Sequence, residues 1–525
     1  MVATEPPSTQ PATAQQRPAR ARPGAALSTA VVLLLAATFI PLGYVAWSVI
    51  TTGPSRVIQL VVRPRVGELL LNTVGLVLIT VPVCVVLGVG AAWLVERTDL
   101  PGRTWWRPVF VAPLAVPAFV NSYAWVSVLP TLHGMAAGVL IATLSYFPFV
   151  YVPAAATLRR IDPALEESAR ALGSGSSGVF FRVVLPQLRL AILGGALLIG
   201  VHLLAEYGAF AMIRFSTFTT AIFEQFQATF DGAAGATLAA VLVLLCLLLL
   251  VTEAAARGNA RFARIGSGAQ RTSAPMHLGH LTVPAIVGLL TLAVLALGVP
   301  LWTLTRWMWI GGAQVWDVTE IGTALAQTAT LAAAAAVLTT VLAFPFAWVA
   351  VRYRGLLARS VEGANFITSS MPGIVTALAL VTVAIRYAPP LYQTAALVIC
   401  AYVLLFLPRA LVSLRSGLAQ VSPSVEEASR SLGASPARTF VRVTLRLTAP
   451  AAAAGASLVF VAVATELTAT LLLAPTGTRT LAMRFWSLSS ELDYAAAAPY
   501  ALMLIALSVP VTLMLLRQST KVAAL

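Results

Sequence analysis

Twelve stretches of roughly twenty mostly apolar residues run through this 525-residue chain and limit its fold more than any other feature. They lie near 25–50, 69–95, 108–130, 134–157, 188–213 and 233–253, then near 280–305, 322–350, 364–385, 391–413, 448–473 and 494–516. A bilayer core offers no water to backbone N–H and C=O groups, so a crossing segment must satisfy them as a helix or within a closed barrel. Runs of this length suit helices, since a barrel strand needs only about half as many residues. The expected fold class is an all-α polytopic membrane protein with about 12 transmembrane helices as two parallel six-helix repeats. Composition agrees: 59% of residues are hydrophobic and 10% are charged, against roughly 25% charged in soluble domains. Pro113, Pro117 and Pro372 fall inside the apolar stretches, where neighbouring helices can re-satisfy the backbone.

Charge sets the orientation. With both termini cytoplasmic, 26 of the 34 basic residues face inward and 8 outward, as the positive-inside rule requires; Arg56, Arg63 and Arg65 in the first external loop go against that vote. The net charge of +15 is spread along loops, so it indicates topology and not nucleic-acid binding. Residues 1–24, rich in Pro, Ala and Gln, read as a disordered cytoplasmic tail, and residues 518–525 as a short cytoplasmic C-terminal tail. The stretch at 25–50 is too long for a signal-peptide core and reads as a retained span. Cys84, Cys246 and Cys400 fall in apolar runs and read as small core residues. Lys521 is the single lysine and follows a threonine, so the chain carries no standard P-loop, which needs a lysine after glycine to reach the phosphates.

The chain is also duplicated. Glu166–Gly173 (EESARALG) returns as Glu426–Gly433 (EEASRSLG), 260 residues later. Pro148 and Glu206 match Pro408 and Glu466 at the same offset, and Trp93 and Arg97 match Trp348 and Arg352 at an offset of 255. Six spans separate equivalent points, so the halves, 25–253 and 280–517, are parallel repeats about an axis along the membrane normal. The cytoplasmic segment 254–279, with its arginines among Gly, Ser, Ala and Gln, reads as a linker without a functional site.

Each copy of the phrase lies on the inner side between the fourth and fifth spans. Asp162-Pro163 and Ser422-Pro423 are helix starts, a capping side chain before proline at the first helical position. Glu166, Glu167, Glu426 and Glu427 then fall where the helix dipole favours negative charge, and Gly173 and Gly433 close each helix. Leu165, Ala169 and Leu172 share one face, as do Val425, Ala428 and Leu432. A single such helix could simply cap the spans; two at equivalent sites point to docking.

This segment resembles the signature of ATP-binding cassette importer permeases: E-A-A, three residues, G, nine residues, I-x-L-P. It reads Glu167, Ser168, Ala169, Gly173, Val183, Leu185, Pro186 in the first half. In the second it reads Glu427, Ala428, Ser429, Gly433, Val443, Leu445, with Arg446 in place of proline. The resemblance implies two coupling helices, carried by Glu166, Glu167, Ala169, Gly173, Glu426, Glu427, Ala428 and Gly433, seated on two copies of a separate ATPase subunit. It also implies an extracytoplasmic solute-binding protein and a bacterial inner-membrane location. No cofactor is then expected on this chain, because ATP is used by the partner. The fused two-half form, with AEYGAF at Ala205–Phe210, STFTTAIF at Ser216–Phe223 and ELDYAAAAPYAL at Glu491–Leu502, resembles ferric iron permeases, with thiamine permeases close behind. A gradient-driven secondary transporter is the alternative of a different class.

Glu206 and Glu466, repeat equivalents, are the acidic residues well inside the predicted spans. A carboxylate there costs on the order of 3 kcal/mol at the bilayer centre, so both are candidates for the translocation path, against the plainer reading of a bond to a neighbouring helix. His133, His202, His277 and His280 form no metal cluster, and no catalytic arrangement is legible. The loops with Arg214, Thr219, Thr220 and Phe226, and with Arg479, Thr480 and Trp486, are candidates for meeting a solute-binding protein.

Overall fold

The computed structural model describes residues 23–229, 232–258 and 275–521. The expectations for residues 1–22, for most of the linker and for 522–525 lie outside the described residues. Helices dominate, and among the described residues the one β-bridge joins Thr98 to Met276.

The first half runs α1 (Ala25–Thr38), α2 (Ile40–Thr52), α3 (Pro64–Arg97), α4 (Arg103–Val111), α5 (Ala118–Val128) and α6 (Gly134–Leu158). It continues as α7 (Pro163–Ala171), α8 (Ser177–Ala205), α9 (Gly208–Met212), α10 (Phe218–Thr229) and α11 (Gly232–Arg257). The second half begins with α12 (Gly279–Val315), α13 (Val318–Arg352), α14 (Leu356–Thr368), α15 (Gly373–Tyr387) and α16 (Ala395–Gln420). It ends with α17 (Pro423–Ser431), α18 (Pro436–Ala464), α19 (Thr468–Leu473), α20 (Leu481–Ser490) and α21 (Tyr494–Lys521). Among the described residues nine helices are long and apolar enough to cross a membrane, and three bent pairs, each taken as one span, bring the number to 12. The side on which α1 begins and α7 and α17 lie is called the terminal face below, and the opposite side the far face.

The third span of each half departs from a straight helix. α4 and α5 meet at 93°, α14 and α15 at 106°. The breaks fall at Pro117 and Pro372, which cap α5 and α15. Proline lacks the N–H that would continue the ladder, and it pushes the preceding residue out of the helical region.

The halves also exchange their first spans. Val31 of α1 is fully buried among Ala335, Ala343 and Val361 of the second half. Leu289, Leu292 and Ala296 of α12 are buried in the first half's core with Leu144, Phe147 and Val150. Each half therefore reaches around the other, which ties the pseudo-dimer together with apolar burial.

Within a half, small residues let backbones approach, as is usual where lipid supplies no hydrophobic drive between helices. A Cβ on Gly195 of α8 would lie 2.7 Å from the Phe149 carbonyl oxygen of α6, and one on its repeat mate Gly455 would lie 3.1 Å from Ser413. Cys84 and Cys246 are buried as expected; Cys400 is exposed, on the outer side of α16.

Candidate functional site

Two groups of residues stand out, one at the terminal face and one between the halves. At the terminal face α7 and α17 take the form expected from their ends. The Asp162 carboxylate accepts from the Ala164 N–H at 3.0 Å, and the Ser422 hydroxyl accepts from the Ser424 N–H at 3.4 Å. Gly173 and Gly433 have φ of +85° and +82°, a left-handed conformation that glycine adopts without a Cβ penalty.

The two glutamates of each phrase part company. Glu167 and Glu427 are exposed, as are Ser168 and Ala428. Beside them Leu172 and Leu432 are 87% and 88% exposed, an apolar end on a charged helix that nothing in this chain covers among the described residues. Ala169 is half-buried against the π-helical turn that opens α8. Glu166 and Glu426 point the other way and are buried. Glu166 Oε1 lies 3.0 Å from Arg97 Nη2, and Glu426 Oε1 accepts from Arg352 Nη2 at 2.6 Å. Glu426 Oε1 also accepts from the Thr444 hydroxyl at 3.0 Å, where the first half has Val184. Arg97 and Arg352 are the last residues of α3 and α13. Each short helix is therefore clipped to the end of its second span by a buried ion pair, while its neighbouring glutamate and leucine stay free.

The linker's far end docks at the terminal face as well. The Met276 N–H donates to the Arg97 carbonyl at 2.9 Å, and the Asp99 N–H to the Met276 carbonyl at 3.1 Å. The Asp99 carboxylate accepts from the Leu278 N–H at 3.0 Å and pairs with His277 at 2.8 Å. The Leu278 amide first, then His277, holds the Asp99 carboxyl below its ordinary range.

The second group begins with a correction. The fifth span of each half does not run through to 213 or 473. α8 stops at Ala205 and α18 at Ala464, and short helices restart at Gly208 and Thr468. Glu206 and Glu466 sit in the breaks and cap α9 and α19. Glu206 Oε1 accepts from the Ala209 N–H at 3.0 Å, and Oε2 from the Tyr146 hydroxyl at 2.7 Å. Glu466 Oε1 accepts from the Ala469 N–H at 2.9 Å; Oε2 accepts from the Thr470 N–H at 3.0 Å and the Thr470 hydroxyl at 2.7 Å. The Tyr402 hydroxyl lies 2.7 Å from the Thr470 hydroxyl, so a tyrosine of the fourth span steadies each carboxylate, directly or through threonine.

Both glutamates line one cavity of about 480 Å³ between the halves. Tyr146, His202, Arg409, Thr465, Thr468 and Thr512 share its wall, with Phe119 and Phe406 among the apolar lining. On the far side aromatic contacts across the halves close it. Phe119 lies 5.5 Å from Phe485 and Tyr207 5.4 Å from Trp486, ring to ring, and the Tyr123 hydroxyl donates to the Tyr494 carbonyl. Gly208 packs closely there: a Cβ would lie 2.8 Å from Leu467 and 3.0 Å from Phe119.

Other loop expectations change too. Thr219 and Thr220 are buried and not offered to a partner; the Thr219 hydroxyl donates to the Glu206 carbonyl at 2.6 Å. Arg65 of the first far-side loop pairs with Glu68 at 3.0 Å and donates to the Ser216 hydroxyl. Among the described residues no group of three or more His, Cys, Asp and Glu side chains could hold a metal ion. Arg409 is a cavity residue that the sequence reading missed. It lies inside the stretch 391–413, and an intramembrane arginine is as strong a signal as an acidic residue.

The inner membrane component of binding-protein-dependent transport systems, as a family model, matches this chain twice, at residues 85–264 and 340–523. The chain belongs to that family. Both matches leave out the exchanged first spans and include α7 and α17. The chain is 35% identical over 492 residues to the Fe(3+)-transport system permease protein FbpB 2 of Haemophilus influenzae, covering 93% of this chain and 97% of that protein. It is 23% identical to the ferric transport system permease protein FbpB of Actinobacillus pleuropneumoniae over 76% of this chain and 60% of that one. The sulfate transport system permease protein CysW of Synechocystis is 29% identical over 43% of this chain and 90% of its own length. The sulfate permease thus aligns over nearly all of its own length with less than half of this chain, whereas the Haemophilus permease aligns over almost the whole of both.

Proposed function

We propose that this permease forms the membrane pathway of an ATP-driven importer for ferric iron. Two copies of a separate ATP-binding cassette ATPase seat on α7 and α17, and an extracytoplasmic solute-binding protein delivers the cargo. The terminal face is cytoplasmic, and so are both termini. Glu167, Leu172, Glu427 and Leu432 meet the ATPases, whereas Glu166 and Glu426 with their arginines pass the motion to α3 and α13. The cavity with Glu206 and Glu466 is the inward-facing stage of the path, sealed on the far side by the aromatic contacts at Gly208.

One observation carries this reading: the same short helix, clipped by the same buried Arg–Glu pair, recurs at equivalent sites in both halves. A gradient-driven carrier has no need of paired handles, and a thiamine importer would share them. For the cargo, support comes from the end-to-end similarity to the Haemophilus iron permease and from carboxylate oxygens, which suit hard cations.

Co-reconstitution with the candidate ATPase and binding protein tests it. Uptake of ferric iron that requires ATP, and falls in Glu206→Gln and Glu466→Gln, is expected. Uptake of thiamine but not iron would move the cargo assignment, and wild-type uptake by both variants would remove the glutamates from the path.

A further inference from the structure

The cavity between the halves is not charged as a site for a bare cation would be. Arg409 stands at the middle of α16, with its guanidinium 5.2 Å above the Phe406 ring and its side chain exposed to the cavity. Among the described residues no carboxylate lies within ion-pair distance of it. Arginine keeps its proton in proteins, so the cavity permanently holds a positive fork with five donors and no anion to receive them. Its repeat mate, at the offset of 260, is Phe149, so the pseudo-two-fold does not require it and packing could be met by an apolar ring. His202 extends the same wall. Its Nδ1 lies 2.7 Å from the Leu198 carbonyl, so that nitrogen carries a proton, and its ring lies tilted against Phe149 with centroids 4.7 Å apart. Glu206 and Glu466 line the same cavity, each carboxylate oxygen already holding at least one partner.

We infer that Arg409 binds an oxyanion travelling with the cargo, so that the permease passes a metal–oxyanion complex whose anionic pole rests on Arg409 and whose cationic pole faces the two glutamates. The inference builds on the iron reading above. An intramembrane arginine is costly unless it is paired or faces a cavity, and a guanidinium matches the flat edge of a carboxylate, carbonate or phosphate group bidentately. A bare trication would be repelled by Arg409 at the same wall that its carboxylates invite it to.

The test uses the reconstituted complex of permease and ATPase, with ferric iron presented together with citrate, carbonate or phosphate. Arg409→Gln is expected to lower uptake about ten- to hundredfold, as for loss of a charge-assisted bond, while Arg409→Lys keeps more of it. Wild-type uptake should also depend on which oxyanion is present, a dependence that a purely structural arginine would not create and that Arg409→Gln should erase. Anion binding is measured separately by titrating citrate or inorganic phosphate, without iron, into the detergent-solubilised complex. Binding by wild type that Arg409→Gln abolishes supports the site even if iron proves not to be the cargo. Equal anion binding by both, or iron uptake indifferent to the oxyanion, overturns it. The basal ATPase rate and the elution profile of each variant show that it is folded.

Discussion

Removing Arg352 should release α17 from the membrane domain without unfolding the protein. The Glu426 side chain is 7% exposed and Arg352 9%; the pair is 2.6 Å long, and Glu426 keeps only the Thr444 hydroxyl and a distant Arg430, at 3.8 Å, when Arg352 is gone. Breaking a buried pair from one side costs about 3–5 kcal/mol, because an uncompensated charge remains. Arg430 is half-exposed and i,i+4, so it recovers well under about 1 kcal/mol. At about 1.4 kcal/mol per tenfold, Arg352→Met should raise hydrogen exchange of the α17 amides by roughly two to three decades if they exchange through local undocking. Arg97→Met should fall in the same range: Val184 offers Glu166 no hydroxyl, while the half-exposed Arg170 remains at 3.5 Å. Arg352→Met with Glu426→Met removes both charges and should return most of the protection. Hydrogen–deuterium exchange of the detergent-solubilised protein, read peptide by peptide, is the assay. A change below about tenfold, or a double variant no better than the single, would refute the claim that this pair holds the helix.

Three further outcomes are expected. Gly208→Val places a side chain where a Cβ already lies 2.8 Å from Leu467; it should hold the far side apart, seen as greater labelling of a cysteine placed at Phe485, and leave α7 and α17 exchange unchanged. Gly195→Leu should lower the thermal midpoint of the solubilised protein by several degrees, because the Phe149 carbonyl is 2.7 Å from the first added carbon; Gly194→Leu, one residue away and open at its Cβ, should not. The Asp99 carboxyl is depressed in the folded protein, so docking of the linker end is held above the ordinary carboxylate range and is lost as pH falls through the depressed value. Proteolysis at residues 275–280 should therefore rise at acid pH, and Asp99→Asn should show the acid behaviour at neutral pH.

Much of this architecture was legible in the sequence. Run lengths located the spans, and Pro163, Pro423, Gly173 and Gly433 bounded the two short helices to within a residue or two, because caps act locally. Hydropathy could not reveal what depends on tertiary partners. Apolar sequence continues smoothly through Glu206 and Glu466, so the helix breaks there show only in the folded chain, where the two carboxylates cap the Ala209 and Ala469 amides. The repeat marked Arg97 and Arg352 as equivalent, yet their pairing with Glu166 and Glu426 spans about seventy residues and carries no local pattern. The exchange of first spans is likewise invisible, since α1 and α12 read as apolar whichever half they touch. Thr219 and Thr220 looked like loop surface because a threonine's burial is decided by the elements that fold over it.

The central claim is that an external motor grips this permease at two equivalent handles. The most direct test is ATP-dependent uptake by the complex, reconstituted with its ATPase and binding protein, for wild type and for Glu167→Arg with Glu427→Arg. Both glutamates are exposed, so the double variant should be folded and membrane-inserted with no ATP-driven uptake. Full uptake by that variant, or uptake by wild type that an ion gradient drives without ATP, would contradict the account.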